Sequence, residues 1–216
     1  MEITFLGHSS FKIKGKKVTL VSDPFDPQMV GFKFPKVSAD IVTISHDHKD
    51  HNRADLVGDV KKIIFGAGEY EIQETSILGI ASFHDSNSGK ERGKNVIYVV
   101  EMDKIRLVHL GDLGHVLSDK MIEEIGEVDI LFVPVGGKYT IDYKQATQVV
   151  DDLEPKIVIP MHYQMAGLNP EVFSELAGID LFLGKIDLKV ERLEKLKIQK
   201  DNLPEEEQKL VLLTKI

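Results

Sequence analysis

Short apolar or alternating runs dominate the first half of this chain, and long helical stripes are absent from it. Residues 2–6 (EITFL), 10–14 (SFKIK) and 17–22 (KVTLVS) read as three successive strands, with Gly15-Lys16 as the turn that makes a hairpin of the last two. The run 39–45 (ADIVTIS) is a further strand, followed by a helix-like stretch over 52–57. Residues 62–65, 69–73, 75–83, 96–102 and 105–110 continue the strand pattern, with Asp103-Lys104 as the turn between the last two.

Helices enter in the second half. Ser118 opens one that runs to Ile125, where Asp119 and Glu123 suit the positive end. Asp142 reads as the N-cap of 143–153, whose Ala146, Val149, Val150 and Leu153 form an apolar stripe. Residues 129–135 and 156–160 are buried strands, and 170–176 is a short helix with proline at its start. The tail, 188–199 and 209–214, reads as two strands around the turn Leu203-Pro204-Glu205-Glu206. Strand-rich stretches with interspersed helices predict an α/β sandwich, two sheets covered by helices.

Composition narrows this picture. A chain of 216 residues with 42% hydrophobic content and no linker or low-complexity tract predicts one domain, residues 1–216. Its longest apolar runs are far short of a membrane span, and its N-terminus enters a strand without the features of a signal peptide, so a cytoplasmic protein is expected. The formal net charge of -8 and the lack of any Lys/Arg cluster interleaved with aromatics disfavour nucleic acid and favour a small-molecule substrate. Oligomeric state is not legible. With no cysteine, any metal site must rest on His, Asp and Glu.

Such residues are concentrated in one place. His46 to His51 reads HDHKDH and directly follows the run ADIVTIS. Imidazoles and carboxylates are costly to bury unless they are paired or bind metal. Residues two apart on an extended segment project to one side, so His46 and His48 can grip one ion, while a turn would swing Asp50 and His51 toward a second. The plainer reading is a solvated turn, and against it stand three of the chain's eight histidines within six residues. Further candidates stand just beyond apolar runs: His8, Asp23, His84, Asp112 and His162.

The ordered set HxHxDH, a strand-end His, a Gly-Asp and a final strand-end His resembles the metallo-β-lactamase superfamily, over most of the chain from Asp23 to His162. That resemblance implies an αββα sandwich with two metals at one edge. His46, His48 and His84 would hold the first, and Asp50, His51 and His162 the second. Asp112 would bridge both, and Asp23 would brace the metal loop. The segments GHSSFKI, SDPF, FHDSNSGKERGKN, HLGDLGH and VGGKYTID further resemble the branch containing ascorbate-6-phosphate lactonase and related metal-dependent hydrolases.

The expected chemistry is hydrolysis by a metal-bound hydroxide at a dinuclear centre, cleaving an ester, lactone, amide (β-lactam included) or phosphodiester bond. Asp50 would orient the water and take its proton, and Asp112 would hold the ions together. Zinc is the default, with nickel, manganese and iron as alternatives, favoured if His8 adds a ligand. His109, on the opposite face of its strand from Asp112, fits a supporting or core role. His115, Lys138 and Tyr139 are candidate substrate contacts, Tyr139 through its hydroxyl. Asp85 and SNSGKERG are expected to form a mobile loop over the cleft. A di-iron redox enzyme of the same fold and a non-catalytic metal- or ligand-binding protein are the competing readings.

Overall fold

Alternate burial along single strands decides the layers. In Ile130–Pro134 of the computed structural model, which describes all 216 residues, Ile130 and Phe132 join an apolar cluster of 25 buried residues, whereas Leu131 and Val133 join a second cluster of 22. Successive side chains of a strand face opposite sides, so this strand is covered on both. The first cluster unites Phe5, Phe11, Ile13 and Leu20 with Tyr98, Leu107, Phe132 and Ile159, and fills the space between two sheets. The second packs Val108, Leu131, Val133 and Val158 against Ile125, Ala146, Val149 and Val150 of the helices Asp119–Ile125 and Tyr143–Leu153. A third, of 14 residues, covers Leu6, Val21 and Val42 with Phe25, Val30 and Phe173. The expected four-layer sandwich is present, with lopsided cover: the third cluster lies under the one-turn helices Pro27–Val30 and Pro170–Phe173.

One sheet has six strands in the spatial order Leu196–Lys197, Glu2–Gly7, Ser10–Lys14, Thr19–Ser22, Ile41–Ile44, Lys62–Phe65. The other has eight, in the order Lys189–Leu193, Lys209–Leu213, Ile157–Met161, Ile130–Pro134, Ile105–His109, Lys94–Met102, Thr75–Phe83, Gly68–Ile72. The antiparallel turns are where the sequence put them, and Asp103-Lys104 has φ of 54° and 66°, consecutive left-handed residues that match strand twist. Thr19–Ser22, Ile41–Ile44 and Lys62–Phe65 run parallel, as do Ile105–His109, Ile130–Pro134 and Ile157–Met161. Parallel strands deliver their C-terminal ends to one edge of each sheet, where ligand sites of open α/β sheets gather.

Two local expectations are corrected, and one element is new. Residues 52–57 form only the single 3-10 turn Ala54–Leu56. The tail strands do not make a hairpin: Lys189–Leu193 pairs in parallel with Lys209–Leu213, and the connection crosses to the first sheet, where Leu196 pairs with Ile3. Leu196, Ile198 and Leu203 are buried in the inter-sheet core, and their burial draws the connection away from a tight turn. Ile179–Leu183 is a helix that the sequence pattern did not reveal. No helix is long and apolar enough to cross a membrane.

Beside the first residue of Ile130–Pro134, Asp129 ties three segments together. Its carboxylate, 6% exposed, accepts from Lys156 Nζ and Lys200 Nζ at 2.8 Å each and from the Arg106 backbone N–H at 2.9 Å. Burial alone would raise its pKa, but the two ammonium groups and the N–H outweigh it and hold the carboxyl below its ordinary value. A depressed carboxylate contributes stability above its unfolded pKa and loses it as pH falls through the folded pKa. Asp129→Asn should therefore cost about 1–3 kcal/mol in urea unfolding at pH 7. The difference from wild type should shrink below about pH 4, and a pH-independent difference would contradict this account.

Candidate metal centre

The HDHKDH segment leaves the sheet directly after Ile41–Ile44 and is held from behind by Asp23, which follows the neighbouring parallel strand Thr19–Ser22. Asp23 accepts from Ser45 N at 2.8 Å, Ser45 Oγ at 2.6 Å and His51 Nδ1 at 2.9 Å. The Ser45 hydroxyl has one proton and gives it to Asp23. Its 3.0 Å contact with His46 Nδ1 therefore assigns that nitrogen as the donor. With Nδ1 donating in both His46 and His51, each Nε2 is turned toward the cluster, and neither Nε2 has a hydrogen-bond partner. One carboxylate and one serine thus orient two imidazoles.

Six further residues close around these atoms. Potential ligand atoms of His46, His48 and His84 lie within 4.8 Å of one another, and so do those of His8, Asp50, His51 and His162 and those of His46, His51 and Asp112. Asp112 stands between the first two groups: its Oδ2 is 3.2 Å from both His84 Nε2 and His162 Nε2, and its Oδ1 is 3.3 Å from His51 Nε2. His8 Nε2 is 3.2 Å from Asp50 Oδ2, and its ring centroid is 4.3 Å from that of His162. All of these side chains are buried except His48, which is partly exposed. His109 stands behind the cluster, donating from Nε2 to the Ser9 carbonyl and accepting the Gly111 N–H at Nδ1.

The backbone is bent to make this possible. His8, Asp23 and His162 have φ of 57°, 42° and 50°, left-handed values that cost non-glycine residues energy and that cluster at functional sites. Gly114 and Gly136 allow close approach, since a Cβ on the first would collide with the backbone of His84 and Asp85 and one on the second with the His162 carbonyl. The two sheets are joined along this edge by bonds from Val96 N to Ser45 O (2.9 Å), His162 N to His8 O (3.0 Å) and Tyr98 Oη to Ile44 O (2.9 Å). Buried Asn95 accepts the Asp112 N–H and donates to the Leu110 carbonyl, setting the loop that carries Asp112.

A cavity of about 280 Å³ opens over the cluster, lined by His48, Asp50, His84 and Asp112 together with Arg92, Tyr139 and Phe173. The three expected substrate contacts are placed in different ways. Lys138 is exposed and paired with Glu175 at 2.6 Å, away from the cavity. His115 is occupied by the backbone, with Nδ1 at the Val116 carbonyl and Nε2 accepting the Phe83 N–H. Tyr139 lines the cavity with its ring, but its hydroxyl donates to the Val172 carbonyl at 2.6 Å. Asp85, expected in a mobile loop, is an organiser: its carboxylate accepts from the N–H groups of Asn87, Gly89, Glu91 and Arg92. Sequence reasoning missed Ser45, Asn95 and Arg92. Only Asn95, a polar residue at the head of the apolar run VIYVV, carried a signal.

The donor set fits metal ions. His8 Nδ1, His46 Nε2, Asp50 Oδ1, His51 Nε2, His84 Nδ1, Asp112 Oδ1 and both His162 nitrogens are buried without hydrogen-bond partners. Native proteins rarely leave so many buried polar atoms unmatched. Burial, assisted by His162 in one case and His51 in the other, depresses His8 to about 4 and His46 to about 3, so both are neutral and have a free lone pair. Burial acts the same way on His51, but Asp112 and Asp50 override it and raise that imidazole well above its ordinary value. Those carboxylates call for a cation in their midst.

Comparison with known proteins follows the same line. The family model described as Beta-lactamase superfamily domain matches residues 2–162. A UPF0173 metal-dependent hydrolase of Pyrococcus horikoshii is 30% identical over 210 residues, which cover 82% of this chain and 92% of that protein. The crystal structure of a candidate Zn-dependent hydrolase of the metallo-β-lactamase superfamily from Thermotoga maritima is 40% identical, with a TM-score of 0.82, over 98% of this chain and 97% of that one. A diiron β-hydroxylase of Streptomyces venezuelae, 14% identical with a TM-score of 0.59 over 85% of this chain and 50% of that one, shares the fold alone. By the family model and by the near end-to-end likeness to the Thermotoga maritima structure, this chain belongs to the metallo-β-lactamase superfamily.

Proposed function

We propose that the chain is a metal-dependent hydrolase of small molecules, acting on an ester, lactone, amide or phosphodiester bond. The observation that carries this reading is the set of buried, unpartnered imidazole and carboxylate atoms beneath an open cavity of about 280 Å³. His46, His48 and His84 would hold one divalent ion, and Asp50, His51 and His162 a second, with His8 as a further donor and Asp112 shared between them. When bound, such ions lower the pKa of a water toward neutrality and polarise the oxygen of the bond to be cleaved. Nitrogen and oxygen donors without thiolate suit zinc, manganese, iron and nickel, and the zinc dependence ascribed to the Thermotoga maritima relative favours zinc.

The protein's own residues supply orientation and proton handling. Asp50 lines the cavity, keeps Oδ1 unpartnered and receives His8 at Oδ2, so it can orient a water and accept its proton. Asp112, anchored through its own N–H by Asn95, supplies negative charge to both donor groups. Asp23 and Ser45 keep His46 and His51 in the tautomer that exposes Nε2. Tyr139 and Phe173 also wall the cavity, with Phe173 packed on the His8 ring at 4.9 Å between centroids and Tyr139 6.5 Å from that of His162, and they limit the size of what enters.

Elemental analysis of protein purified without added metal should find about two divalent ions per chain, reduced in His48→Ala, His84→Ala and Asp112→Asn. His8→Ala should also lose metal, and full metal content in that variant would remove His8 from the ligand set. On a panel of nitrophenyl esters, lactones, β-lactams and phosphodiesters, turnover should disappear with chelation and return with metal. Metal-loaded protein inert on the whole panel would overturn the hydrolase reading. Asp23→Ala should weaken metal affinity by about 10–100-fold in a chelator competition while the protein stays folded by circular dichroism.

A further inference from the structure

Arg92 stands apart from the other groups around the cavity. It lines the cavity of about 280 Å³ with His48, Asp50, His84 and Asp112. It also lines a neighbouring one of about 500 Å³ that is bounded by His46, His48 and Phe65. Elsewhere in the chain Arg53 is paired with Asp26 and Asp55, Arg106 with Glu101 and the Ile125 carbonyl, and Arg192 is exposed and lines neither cavity. Arg92 makes no ion pair, although exposed Glu91 lines the same cavity, and its guanidinium donates to no protein acceptor. Its packing contact is a stack over the Tyr139 ring, 5.5 Å from the centroid.

This position is built from both ends. The backbone N–H of Arg92 donates to Asp85 Oδ2 at 2.8 Å, and Asp85 directly follows His84. Four backbone N–H groups, those of Asn87, Gly89, Glu91 and Arg92, converge on the Asp85 carboxylate at 2.8 to 3.0 Å and fix the path of the loop. His84 N donates to the Gly93 carbonyl at 3.0 Å, which closes the loop on the other side. The Tyr139 ring under the guanidinium is fixed through its bond to Val172. The loop therefore presents a permanently charged, planar, half-buried fork beside the ligand cluster, with its donors free.

We propose that Arg92 is the specificity residue of this site, binding a carboxylate or phosphoryl group that the substrate carries next to the bond to be cleaved. This rests on the hydrolase reading above. Guanidinium matches either anion through paired N–H donors, and stacking on a fixed ring leaves it less freedom to lose on binding. A neutral ester or lactone would leave these donors unmatched.

The test is calorimetric titration of inorganic phosphate, and separately of acetate, into the metal-loaded protein and its Arg92→Ala and Arg92→Lys variants, each assayed for metal content. Arg92→Ala should keep its metal and weaken anion binding by about 10–100-fold, the size of a charge-assisted hydrogen-bond pair, with Arg92→Lys recovering part of it. A larger loss for phosphate assigns a phosphoryl substrate, and a larger loss for acetate a carboxylate one. Anion affinity within about twofold of wild type, or metal lost together with the arginine, overturns the proposal. Binding needs no turnover. A protein that holds phosphate through Arg92 yet hydrolyses nothing would refute the hydrolase reading, and with it the substrate role of Arg92, leaving only an anion-binding arginine.

Discussion

Three carboxylates, Asp23, Asp50 and Asp112, are almost wholly buried, and their ion-pair partners are all imidazoles. No lysine or arginine reaches them. Buried charge is tolerated only where something of opposite sign meets it, and neutral imidazoles contribute lone pairs that compound the electron-rich character of the region. The strand ends, turns and cross-sheet bonds at this edge all serve to keep these groups together against that cost. A cation bound only by the folded chain would turn the same region into a source of stability.

Holding such groups together is a tertiary achievement. The donors come from the ends of strands in both sheets, and no sheet alone assembles either donor group. What joins the sheets is polar: Tyr98 reaches the Ile44 carbonyl just before the HDHKDH segment, Val96 binds Ser45, and His162 binds His8. Apolar packing of the 25-residue inner cluster sets the spacing of the layers, and these bonds set their register at the mouth. At His8 and His162 the bond that links the sheets joins two residues in left-handed conformation, so strain and anchoring coincide.

Much of this was legible because it is local. HDHKDH is contiguous, and His84, Asp112 and His162 each follow an apolar run that ends where its strand ends. The cap at Asp142 and the turn at Asp103-Lys104 obey rules that span a few residues. What escaped depends on distant partners. Lys138 is drawn off by Glu175, 37 positions away, and the Tyr139 hydroxyl by Val172, 33 away. Arg92 looks like any charged residue of a polar loop until Asp85 folds that loop back. The tail strands were placed to within a few residues, but their parallel pairing follows from burial of the connection between sheets, which no turn signal announces.

The Asp85 loop is held by one side chain and four backbone N–H groups. Backbone amides are common to every residue but proline, so the identities of Ser86, Asn87 and Lys90 matter little to its shape. The rim of the cavity is thus interchangeable in its outward side chains while its path stays constant. Within this architecture, a lineage could revise what its enzyme admits by point changes along one short arc, leaving the cluster of imidazoles and carboxylates untouched.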